Sequence, residues 1–510
     1  MNKNVLTIVV PVRVVNTGIE SFGDVPYGPA VINGILKHNG YNSKVWDLNI
    51  DLFSEFADQW NIIVDMFAIR GYRPANSINI LKILKWLRKA VKQQIKNFNP
   101  DTILLSVFSS QSLDFVVPLS TIVREISPNS YIMIGGRGLD NNERISGINY
   151  ANYFMDYLPI DSVYRGDAEN DLISVIQNKK KGIHTAPPVS AEALSNTPAP
   201  SWEGYNFSLY PSYKNKNLTI PVTGSKGCVR ECTFCDVQSS WPKFVYRKGN
   251  DIAREIIETH SKYGINKFEF TDNLVNGSIT NYRLMNTVLT EEIPNRIEYS
   301  GYAICRSKIS MPESDFKLAS TAGAKLFKVG IESGSEKVRN DMKKKFSNED
   351  ITWFAENCFD KGIKQVWLMF VGYPTETEDD FQQSIDLLKT HAHLTTNNMI
   401  KVFLSLPMVL TNGSGFMQRY ADEYGLEHNR HDQWGDFFWT STQFVNNTFD
   451  VRVNRWKRFV EVMQEYGYYS EINRQNEKLL EIEGLEQKYL EHKQNDKKVI
   501  PIVATPFNVY

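Results

Sequence analysis

The sequence predicts an α/β protein with two successive regions of parallel sheet and a mainly helical C-terminal part. Three observations predict it. Short Val-, Ile- and Leu-rich runs alternate with helix-length segments from residue 5 to 136, and the alternation resumes from 218 to 405. A stretch containing Pro187, Pro188, Pro198, Pro200 and Pro211 separates the two regions. After residue 406 the alternation stops. At 510 residues the chain has room for about two to four domains. Its 42% hydrophobic and 12% aromatic content supplies large cores and argues against global disorder.

Taken in order, residues 5–10 (Val-Leu-Thr-Ile-Val-Val) form a first strand. Helical spacing over 28–39 turns Ala30, Ile35 and Leu36 inward, and Lys44-Val-Trp-Asp47 is a second strand. A basic helix over 76–97, a strand at 102–108, a helix over 113–126 and a strand at 131–134 ending in Gly135-Gly136 complete the pattern. This is a doubly wound parallel (Rossmann-like) domain over 1–177, whose ligands bind beyond the carboxyl ends of the strands. Residues 178–217, opening on Lys179-Lys-Lys181, read as a linker that wraps or spaces domains.

Strands at 218–223, 267–272, 297–303, 326–332, 365–371 and 400–405 alternate with helices such as 250–263, 312–322, 348–362 and 377–390. Six β/α units over 218–405 predict a partial (β/α)6 TIM-type barrel, with chemistry at the carboxyl ends of its strands. Residues 406–510 carry the aromatic patch Trp434, Phe437, Phe438 and Trp439, a helix near 453–466 and a charged amphipathic helix near 470–493. The aromatic patch suits either closure over a flat substrate or a packed seam.

Formal charge is −1, from 57 basic and 58 acidic side chains, so the balance carries no clear nucleic-acid or anionic-membrane signal. The longest apolar runs are near ten residues, about half of a membrane-spanning helix. The N-terminus lacks a signal-peptide pattern and reads as a strand. Five cysteines, three of them clustered, do not make a disulfide framework and fit a reducing cytoplasm.

The chemistry concentrates in Cys228-Val-Arg-Glu-Cys232-Thr-Phe-Cys235. Three thiolates on one loop can hold three irons of a four-iron cluster and leave one iron open for a substrate or cosubstrate. Zinc would need a fourth ligand, and no His lies between 185 and 259. Cys305 and Cys358 sit singly in apolar surroundings and read as core.

The loop, with Phe234 just before its last Cys, resembles the signature of the radical S-adenosylmethionine superfamily. The resemblance implies a [4Fe-4S] cluster on Cys228, Cys232 and Cys235. S-adenosylmethionine would be chelated at the open iron and cleaved reductively to a 5′-deoxyadenosyl radical, with a low-potential electron donor as partner. Further segments resemble the family in order. Asp272 closes the second barrel strand, Arg306 follows the third, Gly330-Ile-Glu332-Ser333 ends the fourth, and Gly372-Tyr-Pro374-Thr-Glu376-Thr follows the fifth. Glu332 can accept from the cosubstrate's ammonium or ribose hydroxyls, and Arg306 can pair with its carboxylate. Gly372 lets backbone approach a flat base. The bland readings are a helix cap for Glu332 or Asp272, a structural ion pair for Arg306 and a simple turn at Gly372. The lysines of Met342-Lys-Lys-Lys345-Phe read as an exposed face.

Pro26-Tyr-Gly28-Pro29, His38-Asn-Gly40-Tyr41 and Val45-Trp-Asp47 resemble the opening of cobalamin (B12)-binding domains fused to such enzymes. Tyr164-Arg-Gly166-Asp167-Ala-Glu169 and Pro198-Ala-Pro200-Ser-Trp202 resemble the junction that follows. This leaves cobalamin as an optional second cofactor, with Ser106, Gly135 and Gly136 facing the corrin or its nucleotide tail. No Asp-x-His-x-x-Gly motif for a lower cobalt ligand occurs. Arg137 is bulky for that position, so a domain that packs without a ligand is the alternative. With cobalamin, the implied reaction is methyl transfer to an unactivated carbon of a small-molecule or peptide substrate. Without it, the chemistry would be rearrangement, ring closure or oxidation. A non-catalytic metal-binding protein that recruits a partner through its aromatic C-terminal region is the contrasting reading.

Overall fold

The structure is a computed structural model that describes residues 3–11, 25–56, 77–108, 112–139, 149–214, 216–411, 414–427 and 437–468. Trp434 and the expected helix near 470–493 lie outside the described residues. The chain divides into two compact units. One comprises 1–227, 241–272 and 280–299, the other 228–240, 273–279 and 300–510.

The first unit opens with strands β1 (Asn4–Val9), β2 (Asn42–Asp47), β3 (Thr102–Ser106), β4 (Tyr131–Gly135), β5 (Ser162–Arg165) and β6 (Gly182–Thr185). They form one parallel sheet in the order β2-β1-β3-β4-β5-β6. The order reverses between β1 and β3, the switch point where such sheets open a crevice for ligands. Both sheet faces are covered. Ile103 and Leu105 join a core with Leu87, Val91, Phe115 and Leu119, while Leu104 joins Leu36, Met133 and Val175 on the opposite face. The period-2 alternation of β3 thus serves two helical layers.

Residues 178–217 do more than space domains. Gly182–Thr185 pairs in parallel with Ser162–Arg165 as the edge strand β6, which the sequence reading had left in the linker. Four residues with modest apolar content gave no strand signal; pairing to β5 decided the conformation. The remainder straps across the helix Tyr27–His38. Asn33 donates from Nδ2 to the carbonyls of Ser201 (3.0 Å) and Glu203 (3.2 Å), and Tyr205 donates to Pro26 O (2.8 Å). Tyr210 donates to the buried Asp47 carboxylate.

The second six-stranded sheet has the order β14-β13-β12-β11-β10-β7. In the first unit, β7 (Thr219–Val222) pairs in parallel with β10 (Lys267–Phe270), and a short antiparallel pair, β8 (Ser225–Lys226) with β9 (Val245–Tyr246), follows β7. β11 spans Glu298–Ala303. In the second unit, β12 (Ala324–Glu332), β13 (Lys364–Met369) and β14 (Ile400–Leu404) pair in parallel, with a bulge between Gly330 and Glu332. This is the expected (β/α)6 partial barrel.

Intervening helices start on strong caps. Ser347 and Thr377 each form a capping box, with Asp350 and Asp380 respectively. The helix expected near 453–466 runs from Phe449 to Glu465, because Thr448 caps it by accepting from Val451 N. Among the described residues no helix is long and apolar enough to cross a membrane.

Candidate functional site

The three cysteines of the loop are half-buried free thiols in the second unit. Backbone and side-chain bonds fix the loop between them. Cys235 N–H donates to Cys232 O (3.1 Å) and Thr233 N–H to Met342 O (3.2 Å). The Thr233 hydroxyl meets Tyr373 Oη at 2.9 Å, and Arg419 donates to Thr233 O at 3.1 Å. Arg230 N–H points at Cys228 Sγ, 3.4 Å away. Burial pushes the Cys232 thiol up to about 11 and raises Cys228 and Cys235 as well. Each thiol feels the charge of another cysteine or of Lys344. Among the described residues no three His, Cys, Asp or Glu side chains converge on one ion. Three thiols on one loop suit separate irons at separate corners of a cluster. Loading iron must displace the thiol protons.

Glu332 stands at the end of β12 with φ +67, at the bulge after Gly330. Its carboxylate accepts from Lys344 Nζ at 2.9 Å, and the same ammonium donates to Gly330 O at 2.6 Å. Lys344 is 9% exposed, between exposed Lys343 (φ +60) and Lys345 (φ +57). Three non-glycine residues in left-handed conformation cost about 1–3 kcal/mol each. They bring one buried ion pair to the mouth of β12. A Cβ on Gly330 would sit 2.5 Å from Glu332 Oε1 and 2.7 Å from Lys344 Nζ, so the ion pair would have to shift to admit one. The Phe234 ring centroid lies 5.8 Å from Lys344 Nζ, and Phe234 meets Phe370 edge-on at 5.5 Å.

Lys344 corrects the reading of the lysine run as an exposed face. Its neighbours are exposed, but Met342 and Phe346 are buried and draw the middle lysine inward. Apolar residues bracketing the run were the available signal. Glu332 does not cap the following helix; Ser335 does, accepting from Val338 N at 3.3 Å.

The remaining expected residues are engaged by their own chain. Arg306 donates from Nε and Nη2 to Asn276 O (3.0 and 2.7 Å) and from Nη2 to Gly277 O (2.6 Å), so it pins a turn through carbonyls. Gly372 has φ +89, and its α-carbon faces the side chain of Arg452. A close approach that needs a glycine is therefore made there by an arginine of this chain. Arg452 lies 3.8 Å over the Trp439 ring, and neighbouring Arg455 pairs with Glu376 at 3.2 Å. Burial pushes Glu376 up to about 7 against the pull of Arg455 and of Gly372 N–H. Sequence reasoning missed both arginines, which lie in a helix with no motif.

In the first unit, Asp272 accepts from Gly224 N–H (2.7 Å) and Ser225 Oγ–H (2.5 Å), ordering the turn after β7. Burial pushes its carboxyl up to about 7. Asp167 and Glu169, in the junction segment, clamp Lys226, two residues before Cys228. Asp167 also takes Trp241 Nε1–H (2.8 Å), and Arg137 stacks 3.9 Å over the Trp241 ring. Gly136 (φ +119) faces the Val107 backbone, so internal packing requires that glycine, and a Cβ on Gly135 would lie 3.1 Å from Tyr164 O. Ser106 ends β3 at the switch point, half-buried, and Phe108 beside it is 74% exposed.

The sequence profile of the radical SAM superfamily matches residues 222–388. The chain is 23% identical over 381 residues to cytidylyl-2-hydroxyethylphosphonate methyltransferase of Streptomyces wedmorensis, covering 64% of this chain and 65% of that protein. It is 24% identical over 259 residues to anaerobic magnesium-protoporphyrin IX monomethyl ester cyclase of Synechocystis sp., covering 46% and 48% respectively. The chain thus spans less than two thirds of these curated relatives. Among solved structures, the fold matches the radical S-adenosylmethionine methyltransferase TsrM from Kitasatospora setae, with tryptophan substrate and a cosubstrate analogue bound. That match has a TM-score of 0.59 and 14% identity, over 82% of this chain and 76% of that one. OxsB, a cobalamin-dependent S-adenosylmethionine radical enzyme with aqua-cobalamin bound, matches at TM-score 0.54 and 16% identity, over 82% and 55%.

Proposed function

We propose that the chain, whose residues 222–388 match the radical SAM superfamily, holds a [4Fe-4S] cluster and S-adenosylmethionine and is a cobalamin-dependent methyltransferase acting on an unactivated carbon. The observation that carries the reading is the cysteine loop fixed beside the Glu332–Lys344 pair. The relatives named above support methyl transfer and cobalamin use.

When bound, the cluster supplies the electron that splits the sulfonium, and a methylated corrin supplies the methyl group. The protein's own residues hold and shield. Cys228, Cys232 and Cys235 give up their protons and anchor three corners. Glu332, aimed by Lys344, offers one carboxylate oxygen to the cosubstrate's ammonium or hydroxyls. Phe234 and Phe370 keep water from the loop. Ser106 and Phe108 provide the polar and apolar contacts at the edge of the N-terminal sheet.

The substrate is a small molecule or peptide, and a low-potential donor delivers the electron. Free thiols at all five cysteines support a reducing, cytoplasmic setting.

Full-length protein reconstituted anaerobically with iron, sulfide and hydroxocobalamin tests the proposal. Retained corrin bands after desalting are expected, and, once titanium(III) citrate has reduced the corrin to cob(I)alamin, release of S-adenosylhomocysteine from S-adenosylmethionine as the corrin is methylated. A brown protein that releases 5′-deoxyadenosine under dithionite but retains no corrin would move the assignment to cobalamin-free rearrangement, cyclisation or oxidation. Absence of iron would return it to a non-catalytic reading.

A further inference from the structure

Lys344 is costly to place. Its ammonium is buried, and it is reached through left-handed Lys343 and Lys345 and an equally left-handed Glu332. A simple counter-ion for Glu332 could be supplied from solvent at no such expense. The position has a second consequence. Lys344 Nζ lies 5.8 Å from the centroid of Phe234, which sits between Cys232 and Cys235 in the loop, and Thr233 N–H of the same loop donates to Met342 O, two residues before Lys344. Lys344 and Glu332 have side chains only 11% and 13% exposed, so solvent screens neither charge well. Flanking Lys343 and Lys345 are exposed and screened.

We infer that Lys344 and Glu332 form a built-in electrostatic control on the cluster of the cysteine loop, the ammonium favouring the reduced state and the carboxylate opposing it. The inference rests on the cluster assignment above. One-electron reduction by a low-potential donor adds one negative charge to a thiolate-ligated cluster. A fixed cation nearby stabilises the more negative product, and a fixed anion destabilises it. Net charge and local environment are what set such potentials. Lys344 is thus a positioning residue that holds Glu332 at the mouth of β12 and biases electron uptake before any cosubstrate arrives.

The test is an EPR-monitored redox titration of the full-length, anaerobically reconstituted protein without S-adenosylmethionine, comparing wild type with Lys344→Gln, Lys344→Met, Lys344→Arg and Glu332→Gln. Lys344→Gln and Lys344→Met should shift the midpoint to more negative potential, so that the reduced-to-oxidised ratio at a fixed applied potential falls about tenfold (about 59 mV for one electron). Lys344→Arg should stay near wild type, and Glu332→Gln should shift the other way. A purely structural role would not produce opposite signs at the two partners. An unchanged midpoint in Lys344→Gln, shifts of one sign at both residues, or loss of iron from both neutral variants with an unaltered unfolding midpoint would overturn the inference. A wild-type protein that takes up no iron would instead overturn the cluster reading itself.

Discussion

At the scale of single residues, the site depends on side chains forced into sparsely populated conformations. Gly330 illustrates the logic: the ion pair of its neighbours occupies the space a methyl group would need. Gly330→Ala should push Lys344 and Glu332 apart and lower S-adenosylmethionine affinity at least tenfold, measured by equilibrium binding to the reconstituted protein. Cys232→Ala should abolish the cluster's visible absorbance while leaving the unfolding midpoint near wild type, because Thr233 and its partners hold the loop without the thiol. Retained absorbance would remove Cys232 from the ligand set. Gly136→Ala adds a methyl against the Val107 carbonyl at φ +119 and should destabilise by about 1–3 kcal/mol in chemical denaturation. The cysteines were legible in the sequence because three thiols fall within one short loop. Lys344 was not, because only the apolar residues Met342 and Phe346 that bracket the run, and no motif, set it apart from the two exposed lysines beside it.

At the scale of elements, the helix Phe449–Glu465 docks through buried Arg452 and Arg455 onto the turn that follows β13. Removing Arg455 leaves the Glu376 carboxylate buried with its cation gone. Arg455→Ala should therefore cost about 3 kcal/mol at pH 8. At pH 5 the loss should be smaller, because Glu376, already pushed up to about 7, is then protonated and needs no cation. Unfolding measured at both pH values decides it; an equal loss would show that packing rather than charge dominates. The barrel strands were readable element by element, since each carries its own apolar run. The edge strand β6 and the strap over the first helix were not, because four short residues and a proline-rich stretch take their conformation from distant partners.

Across the whole molecule, buried carboxyls set an unusual pH response. Burial holds Asp47 up at about 6 and Asp272 and Glu376 at about 7. Their folded-state values lie above the unfolded ones, so the folded form binds protons more tightly. The stability they contribute is full below about pH 4 and is lost as pH rises through 6 to 7. Asp380 behaves oppositely. Burial alone would raise it, but bonds from Lys337, Thr377 and Ser335 bring it down to about 2. Its contribution is present above about pH 4 and is lost as pH falls toward 2. Urea unfolding of the full chain at pH 5 and pH 8 should show a decline that Asp47→Asn makes smaller; an identical decline in the variant would assign it to other groups.

By itself the sequence showed the three-cysteine loop and most of the strand runs, because both are properties of contiguous residues. Only the tertiary structure decided which charges are buried and what each glycine must accommodate. Lys344 lies against Glu332, Arg452 over Gly372 and Val107 against Gly136 because folding brings separate segments into contact. Burial, not residue type, then determines how strongly each charge acts.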